Sequence, residues 1–137
     1  MRLVLDTNVA VSAILGSSAP TRLIELASEG SFDLVTSEPL LTELAEVLAR
    51  EPIIRRLERR GRSASEAIAR YEGLAERVEP ASITRTATDL DDDAVLACAL
   101  AAGADLIVSG DQRLRNLKFF HRIPILSPSD ALAAVAR

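Results

Sequence analysis

Aromatic residues are scarce in this 137-residue chain, which has three phenylalanines, one tyrosine and no tryptophan. The core must therefore consist mainly of aliphatic side chains, and stacking on an aromatic platform is not expected to be the main mode of any nucleic-acid binding. A single cysteine, Cys98, excludes an intrachain disulfide and is expected to be a small buried residue of a helix. A single histidine, His121, excludes a zinc site built on several histidines.

Positively charged residues are outnumbered by negatively charged ones, since the chain has 16 Lys and Arg and 20 Asp and Glu, for a formal net charge of -4. The chain as a whole therefore lacks the electrostatic signature of a nucleic-acid-binding protein, although a nuclease that gathers carboxylates around metal ions also looks acidic without its ions. There is no long apolar run and no signal-peptide pattern, so a cytoplasmic location without membrane contact is expected. The length and the 48% hydrophobic content are typical of one globular domain spanning residues 1–137.

Short apolar runs alternate with helical patterns along the chain. Residues 3–5 are a buried-strand candidate that leads into Asp-Thr-Asn at 6–8, and residues 105–108 are another that leads into Ser-Gly-Asp at 109–111. Residues 123–126 are predicted to form an edge strand, because Pro124 cannot donate a hydrogen bond to a ladder. The alternation predicts an α/β fold with a mostly parallel sheet that is covered on both faces.

Four carboxylates stand at positions that a plain amphipathic pattern does not favour. Asp6 and Asp111 follow the two strand candidates, and acids at strand ends lie at the mouth of an open sheet, where ligands usually bind. Glu43 lies on the apolar stripe of its predicted helix, and Asp93 lies in line with Leu96 on the inward face of another helix. These four acids are therefore predicted to point into the molecule.

An inward carboxylate is costly unless a positive group pairs with it, and no lysine or arginine accompanies these acids on the inward faces. Several carboxylates in one place would repel one another and take up protons. A hard divalent cation removes both problems, and Mg²⁺ or Mn²⁺ suits a site made of oxygen ligands. We therefore predict that Asp6, Glu43, Asp93 and Asp111 converge on a metal ion.

Each acid also has a purely structural explanation. Asp6 and Asp111 suit helix N-caps, with residues 7–8 as turn residues, and Glu43 suits a solvated position on a rotated helix. What favours a site is the joint occurrence of all four acids in one chain.

The acidic run at residues 91–93 has its own alternative, since acids belong at a helix N-terminus. Asp91 is the preferred capping residue. Asp92 is a weaker site candidate than Asp93, because Asp93 aligns with the apolar positions of the helix.

Four motifs together resemble the PIN-domain family, and the similarity covers essentially the whole chain. They are Leu-Asp-Thr-Asn at residues 5–8, Ser-Glu at 37–38 leading to Glu43, Asp-Asp-Asp at 91–93 with Ala97, and Ile-Val-Ser-Gly-Asp at 107–111. The greatest similarity is to VapC-like ribonucleases, the group described as toxin components of bacterial and archaeal toxin–antitoxin modules.

The resemblance implies a three-layer α/β/α sandwich with a central, mostly parallel sheet of Rossmann-like topology. It also implies a ribonuclease site that uses Mg²⁺ or Mn²⁺ and cleaves single-stranded RNA, with Asp6, Glu43, Asp93 and Asp111 as the catalytic and metal-binding acids. As further partners it implies a cognate antitoxin protein and a second copy of the chain in a homodimer.

Two small polar residues belong to the same implied site. Asn8 and Ser109 match the small polar positions that hold the acids in place in the family. There they would orient the metal ligands without binding the metal themselves.

Substrate phosphates need a positive rim, and two basic stretches are available. Arg113, Arg115 and Lys118, followed by Arg122, lie just past Asp111, and a second arginine-rich stretch spans residues 50–62. The alternative for both stretches is a solvated helix face.

Two other functions are alternatives to a ribonuclease. A haloacid-dehalogenase-type phosphatase would use Asp6 as its nucleophile, but it needs a second acid at position 8, where the chain has Asn8. It also needs a lysine deep in the site, and Lys118 is poorly placed for that. An RNA- or protein-binding PIN module without catalysis remains open, because sequence alone does not show activity.

Overall fold

The computed structural model describes residues 1–84 and 90–136. In this part of the chain, strands and helices alternate and form one sheet with helices around it. The strands are β1 (Arg2–Leu5), β2 (Asp33–Thr36), β3 (Glu76–Arg77), β4 (Leu106–Val108), β5 (Phe119–Phe120) and β6 (Ile123–Leu126). The helices are α1 (Thr7–Ile14), α2 (Ser18–Ser28), α3 (Glu38–Leu48), α4 (Glu51–Arg59), α5 (Ala64–Leu74), α6 (Leu90–Ala102), α7 (Gln112–Arg115) and α8 (Pro128–Val135).

The sheet has the strand order β3-β2-β1-β4-β6-β5. Every pair is parallel except β5 with β6. From β1 the chain continues to β2 on one side of the sheet, and β4 pairs with β1 on the other side. The gap between β1 and β4 is thus the point at which the strand order reverses, where open α/β sheets usually bind ligands.

Alternate residues of β1 enter two different cores, as the two-residue period of a strand requires. Leu3 and Leu5 join one core with side chains from α1, α2, α3, α4, α5 and α8. Val4 joins a second core with side chains from α3, α6 and α7 and from the outer strands. Helices therefore cover both faces of a mostly parallel sheet, which confirms the predicted three-layer α/β fold.

The prediction that the strand at 123–126 lies at the sheet edge is wrong. Strand β6 pairs with β4 on one side and with the short antiparallel strand β5 on the other. Two residues are too few to produce a periodic sequence pattern, so the sequence does not predict β5. Pro124 lies opposite Phe119, and the ladder continues past it because the N–H of Ile125 donates to the carbonyl of Lys118 at 2.9 Å.

Several smaller predictions can be checked as well. Cys98 lies in α6 and is fully buried, as expected. The capping role predicted for Asp91 lies outside the described side chains. Among residues 1–84 and 90–136, no helix is long and apolar enough to cross a lipid bilayer.

Candidate active site

Asp6 lies where β1 ends and α1 begins, and only 5% of its surface is exposed. Its Oδ1 accepts a hydrogen bond from the N–H of Val9 at 2.9 Å, so Asp6 is indeed the N-cap of α1. Its other oxygen, Oδ2, accepts a hydrogen bond from the hydroxyl of Ser109 at 2.5 Å. The capping and site interpretations are thus compatible, because the cap occupies one carboxylate oxygen and leaves the other turned toward β4.

Asp111 follows β4 in the same way and is the N-cap of α7. Its Oδ1 accepts a hydrogen bond from the N–H of Arg113 at 2.8 Å. Its own N–H donates to the hydroxyl oxygen of Ser109 at 3.0 Å. Since Ser109 also donates to Asp6, one buried hydroxyl connects the acids that follow two neighbouring strands.

These acids open into a cavity of about 140 Å³. Three of the four predicted acids, and the predicted amide Asn8, lie around it, and Asn8 is exposed there at the start of α1. The residues that line the cavity are Asp6, Thr7, Asn8, Glu43, Asp92, Val95, Asp111 and Arg113.

The acid that α6 contributes to this lining is Asp92, whereas the sequence favoured Asp93. Asp92 and Val95 are three residues apart, so they lie on the same side of the helix. Asp93 is 8% exposed and shares its side with Leu96, which is fully buried. Helix α6 is apolar over most of its circumference, so alignment with its apolar positions is a weak guide to which of the two adjacent acids lines the cavity.

The two bridged acids have opposite electrostatic environments. Burial raises the pKa of Asp6, which the hydrogen bond from Ser109 opposes and the negative charge of Asp111 reinforces. Hydrogen bonds from the backbone and the guanidinium of Arg113 lower the pKa of Asp111. Asp111 is therefore held ionised, while Asp6 is a carboxylate whose charge is costly until a cation lies next to it.

Thr7 supplies a separate sign that the cavity takes a ligand. The residue is 5% exposed and lines the cavity, and among the described residues its buried Oγ1 has no hydrogen-bond partner. A buried hydroxyl without a partner costs free energy, so it is usually satisfied by a ligand or by ordered water. The sequence assigns Thr7 only a place in the Leu-Asp-Thr-Asn motif or in a turn, because the missing hydrogen-bond partner becomes visible only when the fold encloses the residue.

The donors around the cavity are carboxylate, amide and hydroxyl oxygens, which are the ligands that Mg²⁺ and Mn²⁺ prefer. These residues therefore fit a hard divalent cation and its water molecules. Within residues 1–84 and 90–136, however, no three His, Cys, Asp or Glu side chains have the spacing of a ready-made ligand set.

The predicted RNA-contact residues occupy three different environments. Arg113 lines the cavity, and its guanidinium lies 3.3 Å from Oδ2 of Asp111 while 69% of its side chain is exposed. Arg115 is half-buried and donates to the carbonyl of Ser109 at 3.1 Å, so it supports the backbone beneath the site. Lys118 is exposed farther along the chain.

A larger cavity, of about 720 Å³, lies elsewhere and involves α2 and α5. Its lining includes Ile14, Ile24 and Leu74, and it contains none of the acids described above. The larger of these two cavities is therefore not the one that the predicted acids line.

Comparison with known proteins gives the family and the fold of this chain. No curated protein matches the chain. Among solved structures, a chain of the VapBC2 assembly from Rickettsia felis, crystallised with a DNA fragment from its promoter, matches with a TM-score of 0.60 and 15% identity. The match covers 91% of this chain and 97% of that one, and at so low an identity it shows the fold alone. The family described as PIN domain matches residues 2–113, which is most of the sequence, and the chain therefore belongs to the PIN-domain family.

Proposed function

We propose that this protein is a metal-dependent endoribonuclease that cleaves single-stranded RNA. The observation that carries the proposal is the cavity at the strand-order reversal, which combines the acids that follow β1 and β4, and acids of α3 and α6, with the unpartnered hydroxyl of Thr7. Its place in a PIN-domain fold supports a nuclease, because PIN domains are generally nucleases.

The proposed metal ligands are Asp6, Glu43, Asp111 and the acidic pair of α6. Within that pair Asp92 lines the cavity, and Asp93, which the sequence favoured, is buried beside it. A divalent cation, when bound, supplies the positive charge that activates water for attack on a phosphodiester and stabilises the leaving oxygen.

The protein's own residues hold and orient this site. Ser109 fixes the carboxylate of Asp6 and the backbone of Asp111 in one arrangement, and Asn8 adds an amide at the cavity rim. Arg113 keeps Asp111 ionised and offers a positive charge to an incoming phosphate. Groups that orient metal ligands through hydrogen bonds usually have a strong effect on metal affinity.

The biological setting we propose is the toxin of a toxin–antitoxin pair that acts in the cytoplasm. The support is the similarity of fold to a chain of the VapBC2 assembly, together with the family motifs. A cognate antitoxin protein and a homodimer are proposed as partners on the same basis.

The direct test incubates the purified protein with end-labelled single-stranded RNA in the presence of Mg²⁺, Mn²⁺ or a chelator. We expect cleavage with either metal, none with chelator, and none from the Asp6→Asn variant. Asp33→Asn is the matched control, because Asp33 is exposed at the opposite end of the neighbouring strand and should leave cleavage unchanged. Wild-type cleavage rates from folded Asp6→Asn would refute the assignment, and RNA binding without cleavage in the presence of either metal would favour a binding module.

A further inference from the structure

Phe119 differs from every other phenylalanine and tyrosine in the chain. Phe32, Phe120 and Tyr71 are all buried, whereas 61% of Phe119 is exposed. Leu117, two residues earlier, is also exposed, at 40%. In a protein with four such aromatic residues in total, one therefore lies with its ring in solvent.

The position of Phe119 relates it to the proposed site. The chain leaves Asp111, passes through α7 and reaches β5 eight residues later. Strand β5 lies two strand positions from β4, which corresponds to about 10 Å across the sheet. Phe119 pairs with Pro124 and Ile125 pairs with Ile107, so Phe119 is level with Leu106, three residues before Ser109 and about 10 Å back along the strands from it. A single strand of several nucleotides could therefore contact both the cavity and Phe119.

Exposed cations lie at both ends of β5. Lys118 directly precedes Phe119, Arg122 lies two residues after Phe120, and both are exposed. Both have backbone φ angles in the left-handed region, 64° and 67°, so the chain turns sharply on either side of the strand. Arg113 adds a third exposed cation on the way from the cavity.

We propose that Phe119 is a stacking platform for one base of the bound RNA, with Lys118 and Arg122 contacting its neighbouring phosphates. This inference rests on the proposed RNA substrate and adds a base-binding position to it. The charges favour this occupant, because a single-stranded nucleic acid presents both a flat aromatic face and negative phosphates to such a surface. A protein partner at the short edge strand would use the apolar ring but would not need the flanking cations.

The absence of tryptophan from the chain permits a direct optical test. In Phe119→Trp, the introduced indole is the sole tryptophan, and its fluorescence should be quenched when a single-stranded RNA of mixed sequence is added in chelator. Leu117→Trp is the matched control, because it places the indole at an exposed position two residues away and should be quenched much less.

Affinity measurements separate stacking from charge. Phe119→Ala should weaken binding of the same RNA by roughly 5- to 150-fold, which is the usual loss for one stacked base. Binding of an abasic strand with the same number of phosphates should stay within twofold of wild type. Phe119→Tyr should restore affinity for the base-containing RNA, and Leu117→Ala should change neither ligand.

Other results would overturn the inference without touching the nuclease proposal. If Phe119→Ala bound RNA with wild-type affinity and the protein cleaved RNA with metal, the stacking role of Phe119 would be refuted and the nuclease proposal would stand. Equal losses on RNA and abasic strands would also reject stacking. A Phe119→Ala variant that dissociates a dimer in sedimentation but binds RNA normally would assign the ring to a second copy of the chain.

Discussion

Ser109 donates its hydroxyl hydrogen to Oδ2 of Asp6 at 2.5 Å, although the two residues are 103 positions apart in the chain. The same hydroxyl oxygen accepts the N–H of Asp111 at 3.0 Å. Ser109 is completely buried, so neither contact competes with bulk water. The hydroxyl therefore sets the relative position of two acids that leave adjacent parallel strands.

Removing this hydroxyl should impair catalysis more than folding. We expect Ser109→Ala to lower metal affinity or cleavage about 10- to 100-fold, the usual effect of losing a group that orients metal ligands. The measurements are Mn²⁺ titration by calorimetry and cleavage of labelled RNA. Ser127→Ala is the control, because that serine caps α8 through the N–H of Asp130 and should cost about 1 kcal/mol of stability without affecting cleavage. Equal cleavage by Ser109→Ala and wild type would contradict the orienting role.

Thr7→Val tests whether the isolated hydroxyl serves a ligand. The substitution keeps the shape of the side chain but replaces a buried, unpartnered Oγ1 with a methyl group. We expect the metal-free protein to gain about 1 kcal/mol in free energy of unfolding, measured in urea, because an unsatisfied buried group is removed. Metal-dependent RNA cleavage should fall at the same time. A variant that is less stable, or equally active, would show that Thr7 has a structural role only.

Asp92→Asn and Asp93→Asn form a matched pair on adjacent positions of α6. Because Asp92 lines the cavity, its amide variant should bind Mn²⁺ more weakly while its thermal unfolding stays close to wild type. Because Asp93 is buried, its variant should lower the melting temperature as well as the activity. Titration calorimetry and thermal unfolding separate the two effects. If Asp93→Asn abolished metal binding and Asp92→Asn did not, the metal ligand from α6 would be Asp93 and not Asp92.

Arg113 and Arg115 should respond differently to substitution, although sequence reasoning grouped them. Arg113→Gln should weaken RNA binding and reduce the salt dependence of the binding constant by about one unit of log–log slope, as expected for a phosphate contact. Arg115→Gln should instead lower stability by about 1 kcal/mol, because Arg115 donates to the carbonyl of Ser109 and to Gln112. Binding isotherms at several salt concentrations and urea unfolding distinguish these outcomes. Identical salt slopes for Arg113→Gln and wild type would show that Arg113 is a solvated surface residue that does not contact a phosphate.

Part of the candidate site followed from the sequence because local pattern determines local structure. The apolar run of β1 ends at Asp6, and that of β4 ends shortly before Asp111, so both acids had to leave the same edge of a parallel sheet. Glu43 was placed inward by the apolar stripe of α3, and it does line the cavity. The ends of the two apolar runs thus gave the positions of Asp6 and Asp111, and the helical period gave the inward direction of Glu43.

Other features depended on contacts between distant segments. Local pattern gave no sign of the two-residue strand β5, so β6 was wrongly placed at the sheet edge. The choice between Asp92 and Asp93 depends on the rotation of α6, which is set by packing of a helix that is apolar on nearly every side. The isolation of Thr7 likewise arises only from the residues folded around it.

The order of amino acids was enough to predict the fold class and the strand-end positions of Asp6 and Asp111, because strand and helix periods are local properties of the chain. The bridge that Ser109 makes between those acids, the place of Asp92 in their cavity and the exposure of Phe119 became visible only in the folded protein. Those relationships are set by strand order and helix rotation, and both result from the packing of the whole domain rather than from any one segment.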